Sequence, residues 1–261
     1  MPINRYEDKG VANNWNNKYD EEFHPYLHGR QQKVLDLISD LKLPNGATCL
    51  ELGTGGGQNA IKYADMGLHV HGVDSSEELL KTADKLALPG SNLEFSNVDL
   101  NFSMPFADAS FDLVVVVGTL QYLHEPSACV KDVYRILKPG GHFIVCQRNG
   151  LSFNVMRRPL SFLSCLLSEE GFEWGGRSVS PAIGTFVEGS KAVLIKRMVK
   201  VSNLRRWFTN AGLETVYCGG YTPDFSASPR LFRLLDKLLN TISGMYRFSH
   251  VVLATGKKPA Q

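Results

Sequence analysis

The sequence predicts an α/β fold: a doubly wound, mostly parallel seven-stranded sheet with helical or irregular cap insertions. Three observations support it. Strand-like and helix-like apolar patterns alternate five times between residues 47 and 146, the rhythm of helices that connect parallel strands. The run Phe111–Val117 is continuously apolar, as in a strand buried on both faces. Two more strand-like runs, Glu214–Cys218 and Val251–Ala254, bring the number of strands to seven.

Local patterns set the individual elements. Val34, Leu35, Ile38 and Leu41 fall on one face of a helix over residues 31–41. Ser75 and Glu78 have capping-box spacing at the start of a later helix. Further helices are expected after Gly57, from Pro126 to a stop at Lys138–Gly141, over Val201–Asn210 and over Pro229–Met245. The first five strands are predicted at Ala47–Leu52, Leu68–Val73, Leu93–Ser96, Phe111–Val117 and Phe143–Cys146.

The composition indicates an ordinary globular protein. A formal net charge of +2 does not predict nucleic-acid binding. The five cysteines are odd in number and form no CxxC pair, which disfavours a disulfide framework or a zinc site and fits a reducing compartment. The first residues are polar, and no run approaches the roughly 18 apolar residues of a membrane span. We therefore expect a cytoplasmic protein.

A glycine-rich turn and the acids that follow it suggest a ligand site. The segment Glu51–Gly57 (ELGTGGG) lies between a predicted strand and a predicted helix, where glycines permit a tight turn and a close approach of a ligand. The dinucleotide fingerprint GxGxxG does not fit, because Gln58 stands at its third glycine. Asp74 ends the second strand, where a carboxylate can accept both hydroxyls of a ribose, and Asp99 follows the third strand. Gly118 ends the fourth, at the edge where open α/β sheets bind ligands.

Together these motifs resemble the class I S-adenosylmethionine (SAM)-dependent methyltransferases, most of all the ubiquinone- and menaquinone-biosynthesis type in the methyltransferase type 11 branch. The motifs are ExGxGxG, GVDSSEELL around Asp74, NVDL around Asp99, FDLVVVVGTLQYLHEP and LKPGGHF. The resemblance covers residues 47–147 and extends more loosely to Trp15–Tyr19, to LRRWFTNAGLETV and to the last strand. It implies a Rossmann-like fold, SAM as methyl donor and S-adenosylhomocysteine (SAH) as product.

The resemblance also implies which residues bind SAM. The Gly53–Gly57 backbone would lie along the methionine part, with Tyr19 over it, and Glu51 would hold the turn and the amino group. The carbonyl of Gly118 would contact the amino group near the sulfonium. Asp74 would bind the ribose hydroxyls, with Ser75 beside the adenine, and Asp99 and Leu100 would fix the adenine. The full implied set is Tyr19, Glu51, Gly53, Thr54, Gly55, Gly57, Asp74, Ser75, Asp99, Leu100 and Gly118.

Each of these side chains also has a plainer interpretation. Asp74 is in position to cap the following helix, and Asp99 to sit in a turn. Glu51 can serve structure alone, and Tyr19 and Trp15 can be ordinary packing residues. The SAM site therefore depends on all of the motifs together and on their order in the chain.

Candidates for catalysis follow the fourth strand. Relatives carry one or two histidines there, whereas this chain has Gln121 and Tyr122, and His124 lies two residues later. Tyr122 and His124 are the candidate catalytic residues, against the alternatives that Tyr122 packs and His124 faces outward. His142 is expected in a solvated turn. No His/Asp/Glu set has metal-ligand spacing, so no metal is predicted.

In this family the methyl acceptor is covered by segments around the sheet. Here these are an N-terminal helical cap, residues 1–43, and two insertions in the SAM-binding domain of residues 44–261. The insertions, at about 148–198 and 219–247, are rich in aromatic and aliphatic residues, which suits an apolar cover, although they can also simply cover the sheet. A helix over 229–245 has an apolar face that either packs on its own domain or makes a peripheral membrane contact.

The predicted function is SAM-dependent methyl transfer to a small-molecule or lipid-like acceptor, with no nucleic-acid partner. Placement of the nucleophile in line and exclusion of water are its main factors. Three rivals stay open: a non-catalytic SAM- or partner-binding module, a nucleic-acid methyltransferase, and an NAD(P)-dependent oxidoreductase suggested only by the Tyr134-x-x-x-Lys138 spacing. The methylated atom, oxygen, nitrogen or carbon, and the oligomeric state are left open by the sequence.

Overall fold

The computed structural model describes residues 9, 10, 12, 25–88, 90–150, 186–188, 191–193, 199–221 and 249–260. Several sequence-based predictions lie wholly or mostly outside these residues. They are the lead with Trp15 and Tyr19, most of the 148–198 and 219–247 insertions, and the helix over 229–245.

The described residues form one large sheet and one two-stranded ribbon. The strands are β1 Thr48–Leu52, β2 His69–Asp74, β3 Leu93–Asn97, β4 Phe111–Val117, β5 Leu137–Arg148, β6 Phe186–Glu188, β7 Lys191–Val193, β8 Glu214–Tyr221 and β9 Val251–Lys257. The large sheet has the order β3–β2–β1–β4–β5–β9–β8. Strands β1 to β5 are parallel, and β9 is antiparallel to both of its neighbours. The predicted doubly wound, mostly parallel seven-stranded sheet is therefore confirmed.

The position of a ligand crevice follows from this strand order. The chain builds outward in one direction from β1 through β2 and β3, and then in the other direction from β4 through β5. The switch point therefore lies between β1 and β4. Open α/β sheets bind ligands outside the carboxyl ends of the strands at such a point.

Helices cover both faces of the sheet. They are α1 Pro25–Asp40, α2 Ala60–Asp65, α3 Glu77–Ala83, α4 Pro126–Ile136 and α5 Val201–Ala211. Helices α1 and α2 pack in an apolar cluster with Leu113 and Val115, while α4 and α5 pack on the other face with Val114 and Val116. These four β4 residues are fully buried, as the apolar run predicts. No helix in the described part of the chain is long and apolar enough to cross a membrane.

Strand β5 is longer than the sequence suggests. The helix before it ends at Ile136 as expected, but Lys138–Gly141 belong to the strand rather than to a stop turn. Pairing with a distant segment explains the difference: Gly140 N–H donates to Lys258 O, and Lys258 N–H donates to Gly141 O, both at 2.9 Å. The prediction that His142 lies in a solvated turn is therefore wrong, because it is a half-buried residue of β5.

Lys258 also ties the end of the sheet to helix α4. Its Nζ donates to the carbonyl oxygens of Tyr134 and Leu137, both at 2.8 Å, and lies 4.6 Å from the centre of the Tyr134 ring. Carbonyls at the last turn of a helix lack intrahelical donors, and a cation there also matches the helix dipole. One side chain thus completes the hydrogen bonding of this helix end.

We expect Lys258→Met to lower the free energy of unfolding by about 1–2 kcal/mol, because carbonyls at the end of α4 lose a charged donor. Urea unfolding followed by circular dichroism measures this change. Lys85→Met, at an exposed position, is the matched control and should leave the midpoint unchanged. Equal stability of the two variants would contradict the role given to Lys258.

Candidate active site

The glycine-rich turn lies at the carboxyl end of β1, as predicted. Gly53, Gly55 and Gly57 have φ values of 72°, 58° and 83°, in the left-handed region that glycine tolerates best. The backbone N–H groups of Gly53 and Thr54 both donate to Val73 O, at 2.8 and 2.9 Å, which fixes the turn to the end of β2. A Cβ added to Gly53 would collide with Thr119, so the turn also touches the loop after β4.

Asp74 lies at the end of β2 and holds this turn. Its Oδ2 accepts from Gly55 N–H at 2.9 Å, and its Oδ1 accepts from Ser76 N–H at 3.0 Å. A carboxylate oxygen can accept more than one hydrogen bond, so these two bonds are compatible with a ligand hydroxyl at Asp74. Ser75, next to it, is exposed at the same edge.

The cap of helix α3 differs from the prediction by one residue. The capping residue is Ser76, whose Oγ accepts from Leu79 N–H at 3.2 Å. Ser75 was expected in that role from its spacing to Glu78, and this expectation is wrong because the helix begins at Glu77. Because Ser76 is the capping residue, the alternative that Asp74 caps this helix is not supported.

Asp99 and Leu100 lie in the loop after β3. Asp99 is exposed, and its Oδ1 accepts from the backbone N–H of Asn101 at 3.0 Å and from Asn101 Nδ2 at 2.9 Å. Leu100 is buried in the core. Asn101 Oδ1 in turn accepts from the backbone N–H of His124 at 2.8 Å, which joins this loop to the loop after β4.

Gly118 follows β4 at the switch point. Its φ is 76°, its N–H donates to Cys146 O at 2.8 Å, and its carbonyl accepts from Gln121 Nε2 at 2.9 Å. Tyr122, half-buried, and His124, exposed, follow within a few residues. The structure therefore brings the segments after β1, β2, β3 and β4 to one edge of the sheet. Tyr19 is outside the described residues.

Glu51 is the most unusual group at this edge. It is fully buried, its Oε2 accepts from Thr54 Oγ1 at 2.7 Å, and its Oε1 has no hydrogen-bond partner among the described residues. Burial raises the pKa of Glu51 to about 7, and the charge of Asp74 raises it further. The hydrogen bond from Thr54 and weaker interactions with the Asn59 side chain and the Ala60 backbone lower it. A buried carboxyl oxygen without a donor costs free energy, so this atom suits a ligand that carries a donor or a cation.

Arg30 on helix α1 is a further polar residue of this edge that the sequence did not predict. Arg30 is 6% exposed, and its Nη1 lies 2.9 Å from the point where a Cβ on Gly118 would be. The spacing of Arg30, Val34 and Ile38 was an available signal, because residues four apart share one helix face and the other two are buried. A guanidinium at this position offers paired donors to a carboxylate or phosphate.

The Tyr134-x-x-x-Lys138 pair lies away from this edge. Lys138 Nζ donates to Asp112 Oδ2 at 2.8 Å and to Thr48 Oγ1 at 3.2 Å. Thr48 is the first residue of β1, and Asp112 is the second residue of β4, so both lie at the amino ends of their strands. The spacing that suggested an oxidoreductase thus belongs to an ion pair at the opposite edge of the sheet. Among the described residues, no group of three or more His, Cys, Asp or Glu side chains is arranged to hold a metal ion.

Comparison with known proteins agrees with this geometry. Residues 50–145 match the family model described as "Methyltransferase domain". The chain is 25% identical over 177 residues to a demethylmenaquinone methyltransferase of Clavibacter sepedonicus, covering 66% of this chain and 67% of that protein. It is 26% identical over 189 residues to a ubiquinone biosynthesis O-methyltransferase of Xanthomonas axonopodis pv. citri, covering 72% and 71%.

A solved structure shows the same fold. A SAM-dependent methyltransferase from Methanosarcina mazei superposes with a TM-score of 0.61 at 20% sequence identity, covering 86% of this chain and 98% of that one. At this low sequence identity, the similarity supports only the assignment of the fold.

We expect Glu51→Gln to stabilise the ligand-free protein at pH 8 and to change it little near pH 4. The pKa of Glu51 is raised from 4.5 to about 7 in the folded protein. Between these two pH values the folded protein therefore keeps a proton on Glu51 that the unfolded chain releases. The free energy of unfolding of the wild-type protein therefore falls as the pH rises from 4.5 to about 7. The loss is about 3 kcal/mol, at roughly 1.4 kcal/mol per pKa unit.

Urea unfolding at several pH values between 4.5 and 8 tests this expectation. Glu214→Gln, at an exposed position on β8, is the control and should follow the wild-type curve. If the curves of wild type and Glu51→Gln run parallel over the whole range, the raised pKa is wrong.

Proposed function

We propose that this chain transfers a methyl group from SAM to a small-molecule or lipid-like acceptor, because residues 50–145 match the model of the methyltransferase domain family. The observation that carries the proposal is the convergence of the glycine-rich turn, Asp74, Gly118 and the buried, unpartnered Oε1 of Glu51 at the switch point. When bound there, SAM supplies a methyl group made electrophilic by the sulfonium.

The charges of the site match the two ends of an amino acid. The methionine part of SAM carries an ammonium and a carboxylate, and the site offers the carboxyl of Glu51 and the guanidinium of Arg30, which lies next to Gly118. We propose that Glu51 Oε1 accepts from the ammonium, directly or through water, and that Arg30 pairs with the carboxylate. The carbonyl of Gly118 accepts from the same ammonium, and Tyr19 lies over this part of the ligand.

The remaining residues are assigned to the nucleoside. Asp74 accepts from the ribose hydroxyls while its bonds to Gly55 and Ser76 hold it in place. Asp99 accepts from the adenine amino group, and Leu100 and Ser75 border the ring. Thr54 acts through Glu51, since its hydroxyl fixes Oε2 and leaves Oε1 for the ligand.

The protein's contribution to catalysis is placement and exclusion of water. The carbon–sulfur bond breaks with its electron pair on sulfur, the acceptor atom bonds the methyl carbon, and a proton carried by the acceptor leaves to water. Because positive charge disappears in this step, a dry site favours it. Tyr122 and His124 are the proposed side chains near the acceptor, and a base is needed only for a hydroxyl, an acidic carbon or a protonated amine.

The acceptor itself is proposed from the relatives and from composition. The names of the two relatives point to quinone biosynthesis, and an apolar aromatic acceptor suits a cover rich in aromatic residues. We propose that the 1–43 cap and the insertions at 148–198 and 219–247 form this cover. A cytoplasmic location with membrane contact through 229–245 belongs to the same proposal, since it would deliver a lipid-like acceptor.

Methyl transfer is tested with methyl-tritiated SAM and extracts of small molecules and lipids. We expect label in the extract and one SAH for each methyl group moved, with both strongly reduced in Asp74→Ala at limiting SAM. Tight binding of SAH without any labelled product would instead support the non-catalytic binding module.

We expect Asp74→Ala to weaken SAH binding at least about tenfold, because the variant loses a ribose acceptor and the bond that holds Gly55. Isothermal titration calorimetry measures this. Asp84→Ala, at an exposed position after helix α3, is the control and should keep wild-type affinity. Near-normal affinity of Asp74→Ala for SAH would contradict the proposal that Asp74 binds the ribose hydroxyls.

A further inference from the structure

The side chain of Tyr221 lies directly against the backbone of helix α1. A Cβ added to Gly29 would collide with the hydroxyl of Tyr221 and would lie 2.6 Å from the ring carbon Cζ. Gly29 is a residue of the helix without a positive φ, so its backbone conformation does not require glycine. The requirement is one of space, because Tyr221 occupies the place that a larger side chain at residue 29 would take.

This contact fastens α1 to the far edge of the sheet. Tyr221 is the last residue of β8 and pairs with Val251 of β9, which pairs in turn with Arg148 at the end of β5. Tyr221 is half-buried and packs on the apolar cluster that contains Val34 and Ile38 of α1. The position of α1 therefore depends on a residue almost two hundred positions later in the chain.

Gln31 fastens the same turn of α1 to another part of the structure. Its Nε2 donates to Gln58 O at 3.1 Å and to Asn59 Oδ1 at 3.0 Å, directly before helix α2. Successive residues of an α-helix point about 100° apart around its axis, so Gly29 and Gln31 lie on either side of Arg30. The helix is thus held on both flanks of Arg30.

The guanidinium of Arg30 needs a fixed helix more than a point charge would. It is buried, and its Nη1 lies 2.9 Å from the position that a Cβ on Gly118 would take. A guanidinium pairs best with a carboxylate through two parallel N–H···O bonds, which require a set orientation of both groups. A small shift of α1 would therefore break the paired geometry while leaving the charge nearby.

We propose that Tyr221 is a positioning residue for the SAM site, and that its side chain holds α1 where Arg30 can pair with the carboxylate of the methionine part. This inference rests on the proposed function and adds to it a residue from the opposite end of the chain. Tyr221 acts through Arg30 and is assigned no contact with SAM or with the acceptor.

The test compares SAH with 5′-methylthioadenosine, which carries the nucleoside and the sulfur but lacks the amino-acid end. Calorimetry on Arg30→Met should show SAH bound at least about tenfold more weakly and methylthioadenosine within about twofold of wild type. Tyr221→Ala should weaken SAH about fivefold or more and should also leave methylthioadenosine within about twofold. A purely structural loss would weaken both ligands by the same factor.

The double variant that combines Arg30→Met with Tyr221→Ala shows whether Tyr221 acts through Arg30. Without the guanidinium Tyr221 has nothing to position, so the double variant should bind SAH within about twofold of Arg30→Met alone. Tyr217→Ala, on the same strand and 42% exposed, is the matched control and should keep wild-type affinity for both ligands. If Tyr221→Ala does not fold, Gly29→Ala decides, because its added methyl group separates the helix from the Tyr221 side chain and should weaken SAH alone.

Two outcomes would overturn the inference while the proposed function stands. One is that Tyr221→Ala, or Gly29→Ala in its place, keeps wild-type affinity for SAH or weakens SAH and methylthioadenosine equally. The other is that the losses of Arg30→Met and Tyr221→Ala multiply in the double variant. If Arg30→Met itself does not discriminate between the two ligands, the proposed pairing of Arg30 with the carboxylate is wrong and the inference fails with it.

Discussion

A carboxyl group held out of water at the end of the central strand governs the shape of the site. Glu51 is fully buried, and the hydroxyl of Thr54 donates to it, so the turn after β1 must fold back over the strand. Space for that hydroxyl comes from β2: Gly72 pairs with Glu51, and a Cβ on Gly72 would lie 2.8 Å from Thr54 Oγ1. The glycine-rich turn, the pairing of β1 with β2 and the raised pKa of Glu51 are therefore consequences of one placement.

The two edges of the sheet treat polar groups differently. At the amino edge, Asp112 meets the charge of Lys138 and the hydroxyl and N–H of Thr48, so its hydrogen bonding adds to the stability of the fold. At the carboxyl edge, Glu51, Gln121 and Gln147 are buried with atoms that no described residue pairs. Several of the unsatisfied atoms thus lie where a ligand is expected, although Nδ1 of His142 in β5 and Nδ2 of Asn203 in α5 are unpaired elsewhere among the described residues.

Short-range patterns predicted the fold well, whereas contacts between distant residues set the details. The apolar run of β4 and the alternation of strands and helices needed only local sequence, so the sheet could be predicted. The extent of β5 could not, because Lys138–Gly141 look like a turn until Lys258 pairs with them. The glycine turn and Asp74 could be placed at one edge from strand ends alone. The spacing of Arg30 on helix α1 indicated that it is buried, but its position beside Gly118 depends on how the helix packs on the sheet. The burial of Gln147 likewise depends on packing between distant segments.

The strand order also constrains the order in which strands can pair during synthesis of the chain. Strand β9 follows β8 in the sequence but lies between β5 and β8 in the sheet, so β8 has no neighbour until residues 251–257 have left the ribosome. Strands β1 to β5, with Glu51 and Asp74, can pair while synthesis continues. During that interval the nascent β8 presents Val216 and Tyr217, exposed even in the finished fold, together with two unpaired backbone edges. Of the described strands in the large sheet, β8 therefore waits for its first partner over the longest stretch of synthesis.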